Sequence, residues 1–225
     1  MSEEDKCLFV APRSDEATEY SFSWASKLLT KIGNSLNLIK LLQNDAVYFK
    51  MNQYINSVTS MIFFDHGNEE CLVGQDGFAF MDMDDTSELK DKKVYTMACL
   101  SAKKFGAEAY NKGCKEYWGA VEAIGFTLEE ADLFGDVYIE GAYKRFVENK
   151  SIEETYQSMQ DHFDQQKTIA VNPWTKIWLQ KDKDMWVVWH SGNPPIIKEL
   201  SLWERIIQFL KALFGFKKEL IYDCN

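Results

Sequence analysis

Residues 60–64 read SMIFF, a run with no charge and no turn-forming residue. A strand with one wet face alternates apolar and polar residues. A run that does not alternate belongs to a strand covered on both sides. Residues 7–11 (CLFVA) form another short apolar run, and 93–98 (KVYTMA) and 115–120 (KEYWGA) read as further strands. Helical patterns separate these runs. After Pro12, Asp15 or Ser14 caps a stretch whose Tyr20, Phe22, Trp24, Leu28, Leu29 and Ile32 form an apolar face, and Gly33 ends it. Residues 45–57 read as helix, and residues 36–42 fit either helix or strand. Residues 71–81 suggest a hairpin around Gly74 and Gly77. Strands alternating with helices predict an α/β chain: a mostly parallel sheet between two helical layers, an α/β/α sandwich.

Further along, residues 100–114 are expected to form a helix that opens directly after Cys99 and ends at Gly113. Residues 127–149 should be a helix capped by Thr127. Ser151 and Glu154 form a capping box for another helix, reaching about His162. Beyond residue 167 the texture changes, and five of the seven Trp fall at or beyond Trp174. We therefore expect a main domain over 1–167 and an aromatic-rich extension over 168–225. In the extension, TKIWLQ and MWVVWHS read as a β-hairpin around residues 181–184, followed by an amphipathic helix over 202–216.

Charge narrows the range of functions. With 25 Lys+Arg against 35 Asp+Glu, the net charge is −10. Phosphate repels such a chain, and no basic patch offsets the repulsion, so nucleic acid is not an expected partner. The opening MSEEDK does not read as the cationic start of a secretory signal, and no apolar run reaches the roughly 18 residues of a spanning helix. Cys7, Cys71, Cys99, Cys114 and Cys224 are odd in number and scattered, which suits reduced thiols and a cytoplasmic location.

Two strand ends carry reactive groups. SMIFF ends in Asp65-His66-Gly67, and KVYTMA ends in Cys99-Leu100-Ser101-Ala102. Sites in open α/β sheets form at the carboxyl ends of adjacent strands. If these strands are neighbours, an imidazole and a thiol share one rim, where the thiol can pass its proton to the ring and attack as thiolate. A helix opening at Cys99 would favour that thiolate. Gly67 lets a backbone N–H approach a substrate oxygen.

A strand ending in His-Gly, followed by one ending in Ala-Cys-x-Ser-Ala, resembles the caspase-like cysteine peptidases. The likeness is greatest to their gingipain-type and CHAT branches and spans about residues 6–149. It implies peptide-bond hydrolysis through a thioester, with Cys99 as nucleophile, His66 as general base and acid, and the N–H groups of Gly67 and Cys99 as oxyanion hole. No cofactor is implied. The implied partners are a protein or peptide substrate and an activating or regulatory protein. The motif departs from its relatives: caspases carry Gln-Ala-Cys-Arg-Gly, and metacaspases place an acid two residues before the Cys, where Met97 stands. Asp15, Glu122 and Asp136 lie in loops that can approach the site, which favours a basic residue before the cleaved bond.

Other patterns carry less chemistry. Cys71, Cys99, Cys114, His66, His162 and His190 show no CxxC or HxxxH spacing, so no metal is expected. The acidic run 81–85 lacks the Gly turn and distal Glu of a calcium loop. The aromatic C-terminal segment reads three ways: as cover for the sheet edge, as a docking face, or as a membrane-surface contact through residues 201–216. A competing reading of the whole chain is a catalytically inactive interaction or scaffold module.

Overall fold

The computed structural model describes residues 5–191. The apolar runs become β1 (Lys6–Ala11), β2 (Asn37–Leu42) and β3 (Ser60–Phe64). A small antiparallel hairpin follows, β4 (Cys71–Val73) with β5 (Ala79–Asp82). The last three strands are β6 (Lys93–Met97), β7 (Glu116–Ala120) and β8 (Trp186–His190). The main sheet runs β2-β1-β3-β6-β7-β8, parallel throughout except that β8 runs against β7. From β1 the chain goes first outward to β2 and then back to the other side at β3, so the strand order reverses between β1 and β3.

Six α-helices are present among the described residues: α1 (Glu16–Ile32), α2 (Tyr48–Tyr54), α3 (Phe105–Asn111), α4 (Ala131–Phe146), α5 (Ile152–Ile169) and α6 (Pro173–Met185). The aromatic residues show how the sheet is covered. Phe64, Tyr95, Trp118 and Trp186 share one face, where Tyr95 and Trp186 meet Tyr138 or Phe146 of α4, and Tyr138 meets Trp24 of α1. The alternate residues Phe63 and Tyr117 point the other way, to Phe80 of the hairpin and Phe105 of α3. Every residue of β3 is buried, as its unbroken apolar character requires. This is an α/β protein with a mostly parallel sheet covered on both faces.

Local chemistry explains most element boundaries. Asp15 caps α1 in a capping box with Thr18, and Gly33 closes that helix at φ 55°. Ser151 and Glu154 open α5 in the same way, but α5 continues past His162 to Ile169.

Three expectations need correction. The C-terminal hairpin is absent: TKIWLQ lies in α6, and only Trp186–His190 is a strand, pairing with β7. Asn172 caps α6 by accepting from Trp174 N at 2.9 Å, with Pro173 in the first turn. The buried Thr175, Trp178, Leu179 and Asp182 follow helical spacing, and that period prevails over alternation. Thr127 does not cap α4; its hydroxyl meets that of Thr175 at 2.6 Å. The helix expected to open at Cys99 starts only at Phe105. The amphipathic helix expected over 202–216 lies outside the described residues.

Candidate active site

The parallel register of β3 and β6 pairs Phe64 with Met97. Asp65 N donates to Met97 O at 3.2 Å, so His66 and Cys99 leave their strands on the same rim, one residue further on. Both line one pocket. Cys99 is buried, with 6% of its surface exposed, and the His66 side chain is 22% exposed. The pocket lies at the carboxyl ends of β3 and β6, beside the point where the strand order reverses. Open parallel sheets bind ligands at such points.

Asp15 reaches His66 from across that reversal. It sits at the N-terminus of α1, just after β1, with Oδ2 2.8 Å from His66 Nε2. Its Oδ1 accepts from Thr18 N at 2.9 Å. A carboxylate only accepts, so Nε2 carries the proton that Asp15 receives. Partial burial pulls the Asp15 carboxyl upward. The Thr18 amide and the His66 hydrogen bond outweigh that effect, and the net shift is downward. Asp15 is thus bonded to the imidazole.

Gly67 brings two backbones together. It forms an isolated antiparallel bridge with Leu72. The hydrogen bonds come from the flanking residues, Asn68 N to Cys71 O at 2.9 Å and Val73 N to His66 O at 3.1 Å. In that pattern the N–H of Gly67 points away from β4. A Cβ at residue 67 would lie 3.0 Å from Ala98 Cβ and 3.2 Å from Cys99 O. Only glycine fits here without displacing the Cys99 segment.

The turn that carries Cys99 is held by its own network. Leu100 takes φ 58°, the left-handed region that side chains normally avoid. Its N–H donates to Glu122 O at 3.1 Å, and Ala102 N donates to Ala120 O at 3.0 Å. Ser101 Oγ donates to Ala98 O at 3.0 Å, and Thr96 Oγ1 donates to Trp118 O at 2.8 Å. The two hydroxyls are 2.8 Å apart. These bonds bend the chain away from a helix at Cys99. The helix that follows opens only at Phe105, so no helix N-terminus sits on the Cys99 thiol.

The sequence-expected acids separate here. Asp15 meets His66. Glu122 supplies its backbone carbonyl to the Leu100 turn, but the residue does not line the pocket. Asp136 is on α4, exposed, and not in a loop; it does not line the pocket either. Helix α4 turns Phe134 and Val137 toward the core and leaves the charge at 136 outside.

Sequence reasoning missed the pocket walls. Helix α1 contributes Ala17, Thr18, Ser21 and Trp24, and the segment after β7 contributes Ile124 and Phe126. Of these, only Trp24 stood out in the sequence, as a core residue of its helix. No group of three or more His, Cys, Asp or Glu among the described residues is placed to hold a metal ion. No described helix is long and apolar enough to cross a membrane. No family model matches the chain, and no curated protein matches it.

Proposed function

We propose that this chain is a caspase-like cysteine endopeptidase in which Cys99 and His66 act as a dyad and Asp15 positions the ring. The observation that supports this most is that His66 and Cys99 line one pocket at adjacent parallel strand ends, with Asp15 bonded to Nε2 of the imidazole.

The chemistry follows from these groups. His66 Nδ1 takes the proton of the Cys99 thiol. The thiolate attacks the peptide carbonyl, forming a C–S bond and a tetrahedral oxyanion. The N–H groups of Gly67 and Cys99 receive that oxyanion. The C–N bond then breaks, and the imidazolium gives its proton to the departing amine. Water attacks the thioester and leaves its proton on His66. The C–S bond breaks, the acid is released and the thiol is restored. Through both steps Asp15 stabilises the ring when it is charged and keeps the proton on Nε2 when it is neutral.

The test is cleavage of a peptide library by the wild-type chain and by Cys99→Ala and His66→Ala. Loss of cleavage in both variants, with unchanged circular dichroism, is the expected result. Equal cleavage in either variant overturns the proposal. No cleavage by any form, together with no enhanced reactivity at Cys99, favours the inactive scaffold.

A further inference from the structure

We propose that the pocket beside Cys99 receives the residue on the acyl side of the cleaved bond, and that it selects small uncharged side chains such as Ala, Ser, Thr and Val. This deepens the peptidase reading and rests on it.

The first argument is the wall. Trp24, Ile124, Phe126 and Met97 enclose the space next to Cys99, and the surface they present is almost wholly apolar. The carboxylate oxygens of Asp65 are themselves covered, so they present no open acceptor surface to an incoming cation. Asp15 has one oxygen on Thr18 N and the other on His66. The hydroxyl of Thr18 accepts from Ser14 N and Asp15 N, and that of Ser21 donates to Thr18 O. Asp15 keeps half of its side chain exposed but does not line the pocket, so no carboxylate oxygen is open inside it to Lys or Arg. No Lys or Arg among the described residues lines the pocket to meet an acidic side chain; the Arg13 guanidinium lies outside it, paired with Glu19 at 2.6 Å and over Phe22. A charge carried against these apolar walls loses much of its water.

The second argument is size. The recess holds about 40 Å³. At about 10–15 Å³ for one water, that is the space of roughly three waters. Ala, Ser, Thr and Val fit this limit. Phe, Lys and Arg are too long for it without moving a wall. Two features thus oppose the basic preference that acidic residues near the site would suggest: the space is short, and no carboxylate oxygen is open inside it.

The experiment uses the full chain and peptidyl acyloxymethyl ketones that differ only in the residue next to the reactive ketone. The readout is the rate of Cys99 modification by mass spectrometry, alongside kcat/KM for matching peptides. Ala, Thr and Val should react fastest. Phe should fall at least tenfold below Val, and Arg, Lys and Asp at least a hundredfold. Phe126→Ala should raise the Phe-to-Ala ratio at least tenfold. Should that variant not fold, Ile124→Ala is expected to raise the Leu-to-Ala ratio in the same direction. Fastest reaction with Arg, Lys or Asp overturns the pocket assignment and leaves the dyad reading intact. An unchanged ratio in the folded wall variants also overturns it. If no probe modifies Cys99 and no peptide is cut, the dyad reading fails and this assignment fails with it.

Discussion

Asp182 ties the pocket wall to the pH of the solution. It lies on α6 with no exposed surface. Its Oδ1 accepts from Gly125 N at 3.2 Å, and its Oδ2 accepts from Tyr138 OH at 2.8 Å. Gly125 stands between Ile124 and Phe126, the two residues that wall the pocket after β7. Burial pushes the Asp182 carboxyl up to about 7, against the attraction of Lys181 and the two hydrogen bonds. An aspartate in an unfolded chain titrates near about 3.9. Below that pH both states hold the proton, and the stabilising contribution is complete. Between about pH 4 and 7 the folded state keeps a proton that the unfolded chain has released, so stability falls as pH rises. A difference of about three units is worth roughly 4 kcal/mol. That is a large share of the roughly 5–15 kcal/mol that keeps a domain folded.

Asp182→Asn is close to the protonated form in shape and hydrogen bonding. Its carbonyl can accept from Gly125, and its amide can donate to the Tyr138 oxygen. Urea unfolding of both proteins from pH 4 to 8 isolates the effect, because every other carboxylate titrates in both and cancels in the difference. The variant should match the wild type near pH 4 and gain on it steadily up to about pH 7, by as much as roughly 4 kcal/mol. Parallel stability curves would refute the reasoning, as would a variant that is weaker at pH 8 than at pH 4 relative to wild type.

Asp15→Asn separates two roles of one residue. Asn is a good helix cap, so the urea midpoint should barely move, while loss of the charged bond to His66 should lower kcat/KM roughly tenfold, allowing for a half-exposed carboxylate; unchanged kcat/KM would remove Asp15 from the site. Gly119→Ala would place a Cβ 2.6 Å from Thr96 Oγ1 and 2.8 Å from Ser101 Oγ. It should cost about 1–3 kcal/mol in urea unfolding and slow alkylation of Cys99, because the Ser101 bond to Ala98 O must shift; a neutral result in both assays would count against the turn network. Arg145 holds the buried carboxylate of Glu116 at 2.9 and 3.0 Å. Arg145→Met should destabilise by about 3–5 kcal/mol, with much of that recovered in the double variant Glu116→Gln/Arg145→Met; urea midpoints for the single and double variants decide the point.

The sheet and the site were not equally legible in the sequence. SMIFF announces a strand covered on both sides because burial leaves no room for alternation, and β3 is buried at every residue. The rim shared by His66 and Cys99 followed from the same reasoning, since parallel neighbours place their carboxyl ends together. The C-terminal hairpin does not form because TKIWLQ suits both a period of two and a period of 3.6, and the Asn172-Pro173 start decides for the helix. The residues after Cys99 are small and helix-compatible. The outcome was decided by tertiary bonds from Leu100 and Ala102 to the segment around β7, which no local pattern displays. Asp15 was legible as a cap and as an acid near the site. Its bond to His66 depends on where β1 lies beside β3, and spacing alone does not reveal that. Asp182 sits in the polar run KDKD, which reads as a solvated turn until the helix period turns one carboxylate inward.

Selective reactivity of one thiol tests the dyad most directly. Burial pushes the thiols of Cys7 and Cys114 up to about 12 and raises that of Cys71. At neutral pH these three should remain protonated and slow. With Cys224→Ser as background, a limiting dose of iodoacetamide followed by peptide mass spectrometry ranks the remaining four. Fast modification of Cys99 alone, lost in His66→Ala, is the result expected. Comparable rates at Cys99 and Cys71, or a Cys99 rate that does not change when His66 is removed, would contradict the account.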